Sequence, residues 1–349
     1  KEFRILGYNI KMQKLYIQHE GKAVDTNKTF KHVMAITLDP TSNYKEGVVR
    51  CITSREGDVT VKGYVDRSEL HMLSGDSLEH FEIGDRLIIK NEREIIQPLT
   101  LDGFEFIGLE DPDIWIDNDT SLMHLYFTIP MKPVDKDHKK KTQIYLGHAV
   151  GKDLNSLEMT EPVLMDNREL SAKEVSIAPL NKKGFRYNLV ESRDRNTDTT
   201  YSIVKVAIAK DMSKTWEYGE TVFHPKENNI PWIAGHASPG PLFSKNFIDV
   251  GEGKLLGIIN GREANQNMPD GSIKYGMFSV GLFIYDYESG VIDWVSSEPF
   301  IQDTEAITIT FASQFVETGI GEGILYAHVD DSFVRAYTLK AEWIKSLLP

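Results

Sequence analysis

SVGLFIYDYESGVIDWVSSEPFI (Ser279–Ile301) reads as an alternating apolar strand, a polar turn carrying Asp286, and a second strand anchored by Trp294. Side chains alternate faces along a strand, so this layout specifies two antiparallel neighbours, each buried on one side. Three further copies follow the same plan: SELHMLSGDSLEHFEIGDRLII (Ser68–Ile89), YLGHAVGKDLNSLEMTEPVLM (Tyr145–Met165) and SIVKVAIAKDMSKTWEYGETVF (Ser202–Phe223). Their turn acids Asp76, Asp153, Asp211 and Asp286 lie 77, 58 and 75 residues apart, a spacing that suits four-stranded units with unequal loops. A truncated fifth copy is FVRAYTL (Phe333–Leu339), and strand pairs such as MHLYFTI (Met123–Ile129) and GKLLGIING (Gly253–Gly261) lie upstream of the copies. Radial repetition of small antiparallel sheets leaves only short edges and gathers the innermost strands around a channel. The sequence therefore predicts an all-β chain folded as a single five-bladed β-propeller over residues 1–349. Two β-sandwiches are the alternative, but no Pro, Gly or Ser-rich linker divides the chain. AEWIKSLLP (Ala341–Pro349) is the best short helix candidate.

Composition narrows the function classes. With 41% hydrophobic and 26% charged residues in 349, the chain can bury a full core without metal or disulfide. Cys51 is the single cysteine, which excludes an intrachain disulfide and a thiolate zinc cluster. A net charge of −13 argues against nucleic acid, whose binding depends on neutralising phosphates with Lys and Arg. The one basic cluster, Lys139 to Lys141, reads as a solvated loop tip. No apolar run reaches the roughly 20 residues of a membrane span, and residues 1–20 lack the layout of a secretory signal. The expectation is a cytoplasmic protein if the chain starts here, and a periplasmic or secreted one if a leader has been removed. A homo-oligomer is compatible with the sequence.

GLEDPDIWID (Gly108–Asp117) carries the most chemical information. Pro112 disfavours a right-handed helical conformation at Asp111 and predicts an extended one. A carboxylate at the start of an innermost strand points into the channel, where burial raises its pKa towards that of a general acid. The same residues read equally well as an acidic surface turn. Glycoside cleavage needs a second carboxyl group, and Asp39, Glu191 and Asp330 occupy comparable places in the repeat, each with a turn or ion-pair role as the alternative. AGHASPGPLF (Ala234–Phe243) predicts a Gly and Pro-rich loop presenting His236, and INGRE (Ile259–Glu263) ends a strand with Asn260 and Arg262, groups suited to hydroxyl or anion recognition. Pairing of Arg262 with Glu263 is the alternative. Trp216 and Trp294 occupy the anchor position and belong to the core, leaving Trp232 as the candidate for stacking on a sugar ring.

In order along residues 100–340, these motifs resemble glycoside hydrolase family 130, the β-mannoside phosphorylases and β-mannosidases. GLEDPD resembles the family's Glu-Asp-Pro-Arg motif, which implies that Asp111 is the general acid with Glu110 beside it. SPGPLF (Ser238–Phe243), GIINGRE (Gly257–Glu263) and YGMFSVGLFIYD (Tyr275–Asp286) resemble later family segments, and YAHVDD (Tyr326–Asp331) resembles the closing one, which implies a sugar-hydroxyl ligand at Asp330. Asp113 and Asn260 stand where the family has basic groups, which favours hydrolysis by water over use of inorganic phosphate, although Arg193, Arg195 and Arg262 could compensate. Family 43, the arabinan and xylan hydrolases, is also similar. That alignment implies Asp39 as base, Asp111 as the acid that tunes pKa, Glu191 as general acid, and GHAS (Gly235–Ser238) as the histidine loop.

The expectation is an inverting glycoside hydrolase acting on an oligosaccharide, with Asp111 as acid, Glu191 or another channel carboxylate as base, and a β-mannoside favoured. Glu110, Arg193, Trp232, His236, Asn260, Arg262 and Asp330 are the expected substrate contacts. No cofactor or catalytic metal is expected, though oxygen ligands in the channel could hold a structural calcium ion. A non-catalytic carbohydrate-binding propeller is the reading from a different class.

Overall fold

The computed structural model describes residues 15–101, 103–135, 141–167, 170–194 and 201–349, and the chain is almost entirely β. Lys139, Lys140 and Arg195 lie outside the described residues. The strands form five four-stranded antiparallel meanders among those residues. The first runs through Val33–Leu38, Glu46–Glu56, Val65–Ser77 and His80–Arg86, and the second through Glu110–Ile116, Met123–Pro133, Gln143–Gly151 and Glu158–Met159. The third comprises Lys173–Ser176, Arg186–Asp194, Tyr201–Ala209 and Glu217–Phe223, and the fourth His236–Leu242, Lys254–Arg262, Phe278–Asp286 and Val291–Val295. A single parallel pairing, Ser202 with His236, joins the third and fourth into one continuous sheet.

The fifth meander explains why its sequence copy looks truncated. Thr310–Gly319, Glu322–Val329 and Phe333–Lys340 supply three strands, and Tyr16–Gln18 from the other end of the chain adds the fourth. Phe333–Lys340 is followed by a short helix, Ala341–Ile344, where the other meanders have their outer strand. Arg335, buried at this junction, donates through Nη1 to the carbonyls of His19 and Glu20 at 3.1 and 2.9 Å. The four turn acids Asp76, Asp153, Asp211 and Asp286 fall where the third strand of the first four meanders meets its fourth.

Burial falls from first strand to last, as the sequence pattern requires. Val33–Leu38 is buried at every position, whereas Val291–Val295 alternates between half-buried and exposed. The first strands of neighbouring meanders pack against one another in a closed cycle, first to second and on through fifth to first. Apolar cores fill the spaces between neighbours: Leu70 and Leu87 with Leu125 and Phe127, Tyr126 and Leu146 with Val190 and Ala207, and Leu189 with Trp232 and Ile259. Leu256 and Ile258 pack with Leu325 and Tyr337, and Val49 and Leu73 pack with Tyr326 and Val334, completing the circuit.

Two local expectations are corrected. Asp111 is not extended: its φ is +50°, in the left-handed region, so Pro112 excludes the right-handed helix without producing a β conformation. The residues around His236 are not a loop, because His236–Leu242 is the innermost strand of the fourth meander. Helix Glu92–Leu99, between the first two meanders, was not anticipated.

Candidate active site

Irregularities in the first strands position the site. Pairing slips beside Ala35, Asp111 and Glu174, and these three residues have φ of +45°, +50° and +48°. A bulge leaves the extra residue unpaired and re-aims its side chain. Asp111 and Glu174 consequently turn into a cavity of about 430 Å³ at one end of the ring, within the size range of small-ligand sites. Glu191, Arg193, His236, Arg262, His328 and Asp331 line it as well.

Arg50, from the second strand of the first meander, fixes the acidic pair. Its Nη1 donates to Asp111 Oδ1 at 2.9 Å, its Nη2 to Glu110 Oε1 at 2.6 Å, and its Nε to Ser68 Oγ at 3.2 Å. Burial pushes the Glu110 carboxyl up to about 7 against the pull of Arg50, with Asp111 adding to the rise. Asp111 Oδ2 is buried and receives no amide or hydroxyl hydrogen. The Glu174 carboxyl faces it in hydrogen-bonding contact, and burial, followed by the Asp111 charge, raises the Glu174 pKa well above the carboxylate range. The two carboxyl groups in contact favour keeping one proton between them, with Glu174 the group that is pushed up.

Two other carboxyl groups stay ionised. Burial opposes this at Glu191, but the His236 ring 3.0 Å from Oε2 and the Lys173 ammonium 3.7 Å from Oε1 hold it well below the usual range. His236 is itself driven down to about 4 by burial, so at neutral pH the pair is a carboxylate beside a neutral imidazole. Burial is likewise outweighed at Asp331, where the His328 hydrogen bond at 3.1 Å, with Arg50 and Arg55 nearby, brings the carboxyl to about 2. Tyr64 donates to its other oxygen at 3.0 Å.

Of the residues expected from sequence, Asp111, Glu191, Arg193, His236 and Arg262 come together around the cavity, and Glu110 touches Arg50 behind Asp111. Glu110 does not line it, and neither do the other four. Asp39 caps the turn Pro40–Ser42, accepting from the Thr41 amide at 2.8 Å. Trp232 is buried between the third and fourth meanders, with Nε1 bonded to the Ser296 carbonyl at 3.0 Å. Asn260 is fully buried and clasps the Ala312 backbone with both ends of its amide, at 2.9 and 2.8 Å. Asp330 accepts from the amides of Ile307, Thr308 and Ile309 at 2.8 to 2.9 Å, and its neighbour Asp331 faces the cavity. Asp113 also lies outside this cavity, and burial raises its pKa to about 7.

Sequence reasoning missed Arg50, Tyr64, Lys173, Glu174, Tyr275 and Asp331. The charge at Glu174 within the short strand KEVS was the one local signal. The rest depended on strand register. Arg262 lies with its guanidinium carbon 4.1 Å from the centre of the Tyr275 ring and has a buried Nε without a hydrogen-bond partner, while the Glu263 carboxylate accepts from the Met277 amide at 3.2 Å. Among the described residues no three His, Cys, Asp or Glu side chains converge as a metal site, and no helix is long and apolar enough to cross a membrane.

No protein-family model and no curated protein matches the chain. Solved structures do. A glycosyl hydrolase from Bacteroides ovatus aligns over 92% of this chain and 86% of its own, with a TM-score of 0.60 and 17% identity. The β-1,2-mannobiose phosphorylase from Listeria innocua, solved with β-1,2-mannobiose, aligns over 94% of each chain with a TM-score of 0.59 and 13% identity. A GDP-Man-dependent mannosyltransferase from Leishmania mexicana aligns over 96% of this chain and 94% of its own, with a TM-score of 0.54 and 12% identity. The chain thus has the fold of a group of carbohydrate-active proteins whose members hydrolyse, phosphorolyse or transfer.

Proposed function

We propose that the protein is a five-bladed β-propeller glycoside hydrolase that cleaves an oligosaccharide with inversion, Glu174 donating the proton. The observation that carries this reading is the hydrogen-bonded Glu174 and Asp111 pair at the cavity wall, in which one carboxyl keeps its proton at neutral pH. Asp111, held by Arg50, keeps Glu174 protonated and aimed, and is the positioning group rather than the donor. The base is an ionised carboxylate across the cavity. Asp331 fits that place because it comes from the fifth meander, whereas Glu191 shares the third meander with Glu174. In the reaction Glu174 protonates the glycosidic oxygen, the bond from that oxygen to the anomeric carbon breaks, and water adds to the carbon while Asp331 takes its proton. Five meanders whose innermost strands contact in a closed cycle support the five-bladed description.

Hydrolysis is favoured because Asn260 is committed to the Ala312 backbone and Asp113 lies outside the cavity, so neither holds phosphate. Phosphorolysis is the second reading, supported by the Arg262 guanidinium on the cavity wall with no carboxylate partner among the described residues. A β-mannoside is the favoured substrate, following the sequence resemblance. Turnover of mannosides, xylosides and arabinosides, with and without inorganic phosphate, tests the assignment. Glu174→Gln should lower kcat by about two to four orders of magnitude with folding intact, the usual contribution of a general acid. Near-normal turnover by that variant would overturn the proposal.

A further inference from the structure

Of the three bulges with left-handed φ, those at Asp111 and Glu174 turn a carboxyl group into the cavity, but the one at Ala35 has no polar side chain to turn. Its backbone does the equivalent. Met34 pairs with Arg50 and Ile36 with Val49, so Ala35 is the extra residue and its amide is released from the ladder. A buried amide needs an acceptor, and this one donates to His328 Nδ1 at 3.3 Å. A ring nitrogen that accepts a hydrogen bond carries no hydrogen, so the His328 hydrogen is on Nε2. Nε2 lies 3.1 Å from Asp331 Oδ1 and donates to it. Phe311, the cross-strand neighbour of His328, stacks on the buried imidazole with 5.0 Å between centres and 13° between planes, which fixes the plane of the ring. The turn that carries Asp331 is held too: Arg55 Nη2 donates to the Asp331 carbonyl at 3.1 Å, and Ser332 Oγ to the Asp330 carbonyl at 2.9 Å.

We infer that His328 is the positioning residue of the base: the Ala35 amide fixes its tautomer, and its Nε2 hydrogen holds the Asp331 carboxylate in the orientation that receives the proton of water. The inference rests on the proposed role of Asp331. Both nitrogens of His328 are engaged within the protein, so the ring has none to offer a substrate and acts through Asp331. It cannot take over the proton that Asp331 removes from water either, because Nε2 already carries a hydrogen and Nδ1 is capped by an amide that keeps its own. That proton stays on Asp331 until the product leaves and solvent accepts it. The other charged or titratable groups facing Asp331 come from the first meander and the residues before it: Arg50, Arg55, Tyr64, Asp66 and His32. The two guanidinium groups add positive potential, but their N–H groups are directed elsewhere, those of Arg50 to Glu110 and Asp111 and those of Arg55 to Asp66 and to the Asp331 backbone. Orientation of the carboxylate is left to Tyr64, whose hydroxyl donates to Oδ2 at 3.0 Å and can rotate, and to the fixed ring of His328.

Nitrogen NMR of the ten histidines reads the tautomer without any substrate. The signal missing from His328→Gln should be a neutral ring with its hydrogen on Nε2 at pH 7, and hydrogen on Nδ1 or an imidazolium there overturns the inference. Kinetics then use whichever of the mannosides, xylosides and arabinosides is turned over. His328→Phe keeps a ring against Phe311 and removes the donor, whereas His328→Gln keeps an N–H donor and removes the ring. A positioning role ranks Gln above Phe in kcat, with KM little changed in both. Packing alone ranks Phe above Gln, and that order overturns the inference. Asp331 must be ionised to act, and losing a donor raises its pKa, so the acidic limb of kcat/KM should move to higher pH in His328→Phe. The shift should be roughly one to two pH units and the fall in kcat about ten- to a hundred-fold, the ordinary effect of a hydrogen bond to a charged group. An unmoved limb contradicts the positioning role. Asp331→Asn separates the two readings: near-normal turnover rejects the base and the inference with it, whereas lost turnover there with an unmoved limb in His328→Phe rejects the inference alone. If His328→Phe does not fold, the NMR signal and His328→Gln decide, and a Gln variant as inactive as Asp331→Asn counts against the inference.

Discussion

The Glu174 carboxyl hydrogen-bonds to Asp111 between the innermost strands of adjacent meanders, and both residues sit at a bulge with left-handed φ, +48° and +50°. Such a conformation is unfavourable for a residue with a Cβ and persists where surrounding structure enforces it. Here two strained turns place two carboxyl groups in contact, which isolated strands would keep apart.

Asp111→Asn removes the negative neighbour that, after burial, does most to raise Glu174. Glu174 then loses its proton at lower pH, so the basic limb of the kcat/KM profile should move to lower pH while the protein stays folded. An unmoved basic limb would exclude Glu174 as the group that must be protonated.

Arg50→Met should be more damaging than its distance from the leaving oxygen suggests. It leaves Glu110 and Asp111 buried without their shared cation, a change that costs about 3–5 kcal/mol when one partner of a buried ion pair is removed. Urea unfolding should show that loss, and Arg50→Lys should recover only part of it, because a single ammonium cannot reproduce the fork to both carboxyl groups.

Asp113→Asn should stabilise the protein above pH 4. Burial raises Asp113 from 3.8 to about 7, so its ionisation is resisted in the folded state and stability falls as pH rises between those values. The gain on substitution should grow by roughly 1.4 kcal/mol per pH unit across that window and then level off. A gain that is independent of pH would contradict this account. His148 acts in the opposite direction. Burial, with His124 bonded at 2.9 Å, lowers it from 6.5 to about 3, so its contribution is present above 6.5 and is lost as pH falls through that interval. Acid unfolding monitored from pH 7 to 3 should be delayed in His148→Gln.

Arg335→Ala tests the closure of the ring. Arg335 ties the His19 and Glu20 carbonyls to the fifth meander and pairs with Asp303 and Glu305. Its loss leaves Asp303 buried beside Tyr337 without its cation, and a destabilisation of roughly 3–5 kcal/mol is expected in urea titrations. Near-neutral behaviour would show that Tyr16–Gln18 closes the sheet without this anchor.

The sequence by itself determined the strand pattern, because alternation of apolar residues and the turn acids are local features. Asp76, Asp153, Asp211 and Asp286 mark the turn between third and fourth strands in four meanders. Resemblance in the order of motifs also pointed to a sugar-acting fold and brought Asp111, Glu191, Arg193, His236 and Arg262 into consideration. Only tertiary structure decided which carboxyl groups face one another. Asp330 and Asp331 are adjacent, yet one binds three backbone amides and the other faces the cavity. Glu174 gains its raised pKa from burial and, after it, from Asp111, 63 residues away in sequence. Side-chain direction reverses with each residue of a strand, and bulges at Asp111 and Glu174 reset that count, so no local pattern could have assigned them. The closing strand Tyr16–Gln18 was hidden for a related reason: its partner lies at the opposite end of the chain, and pairing at that distance leaves no periodic trace in the sequence.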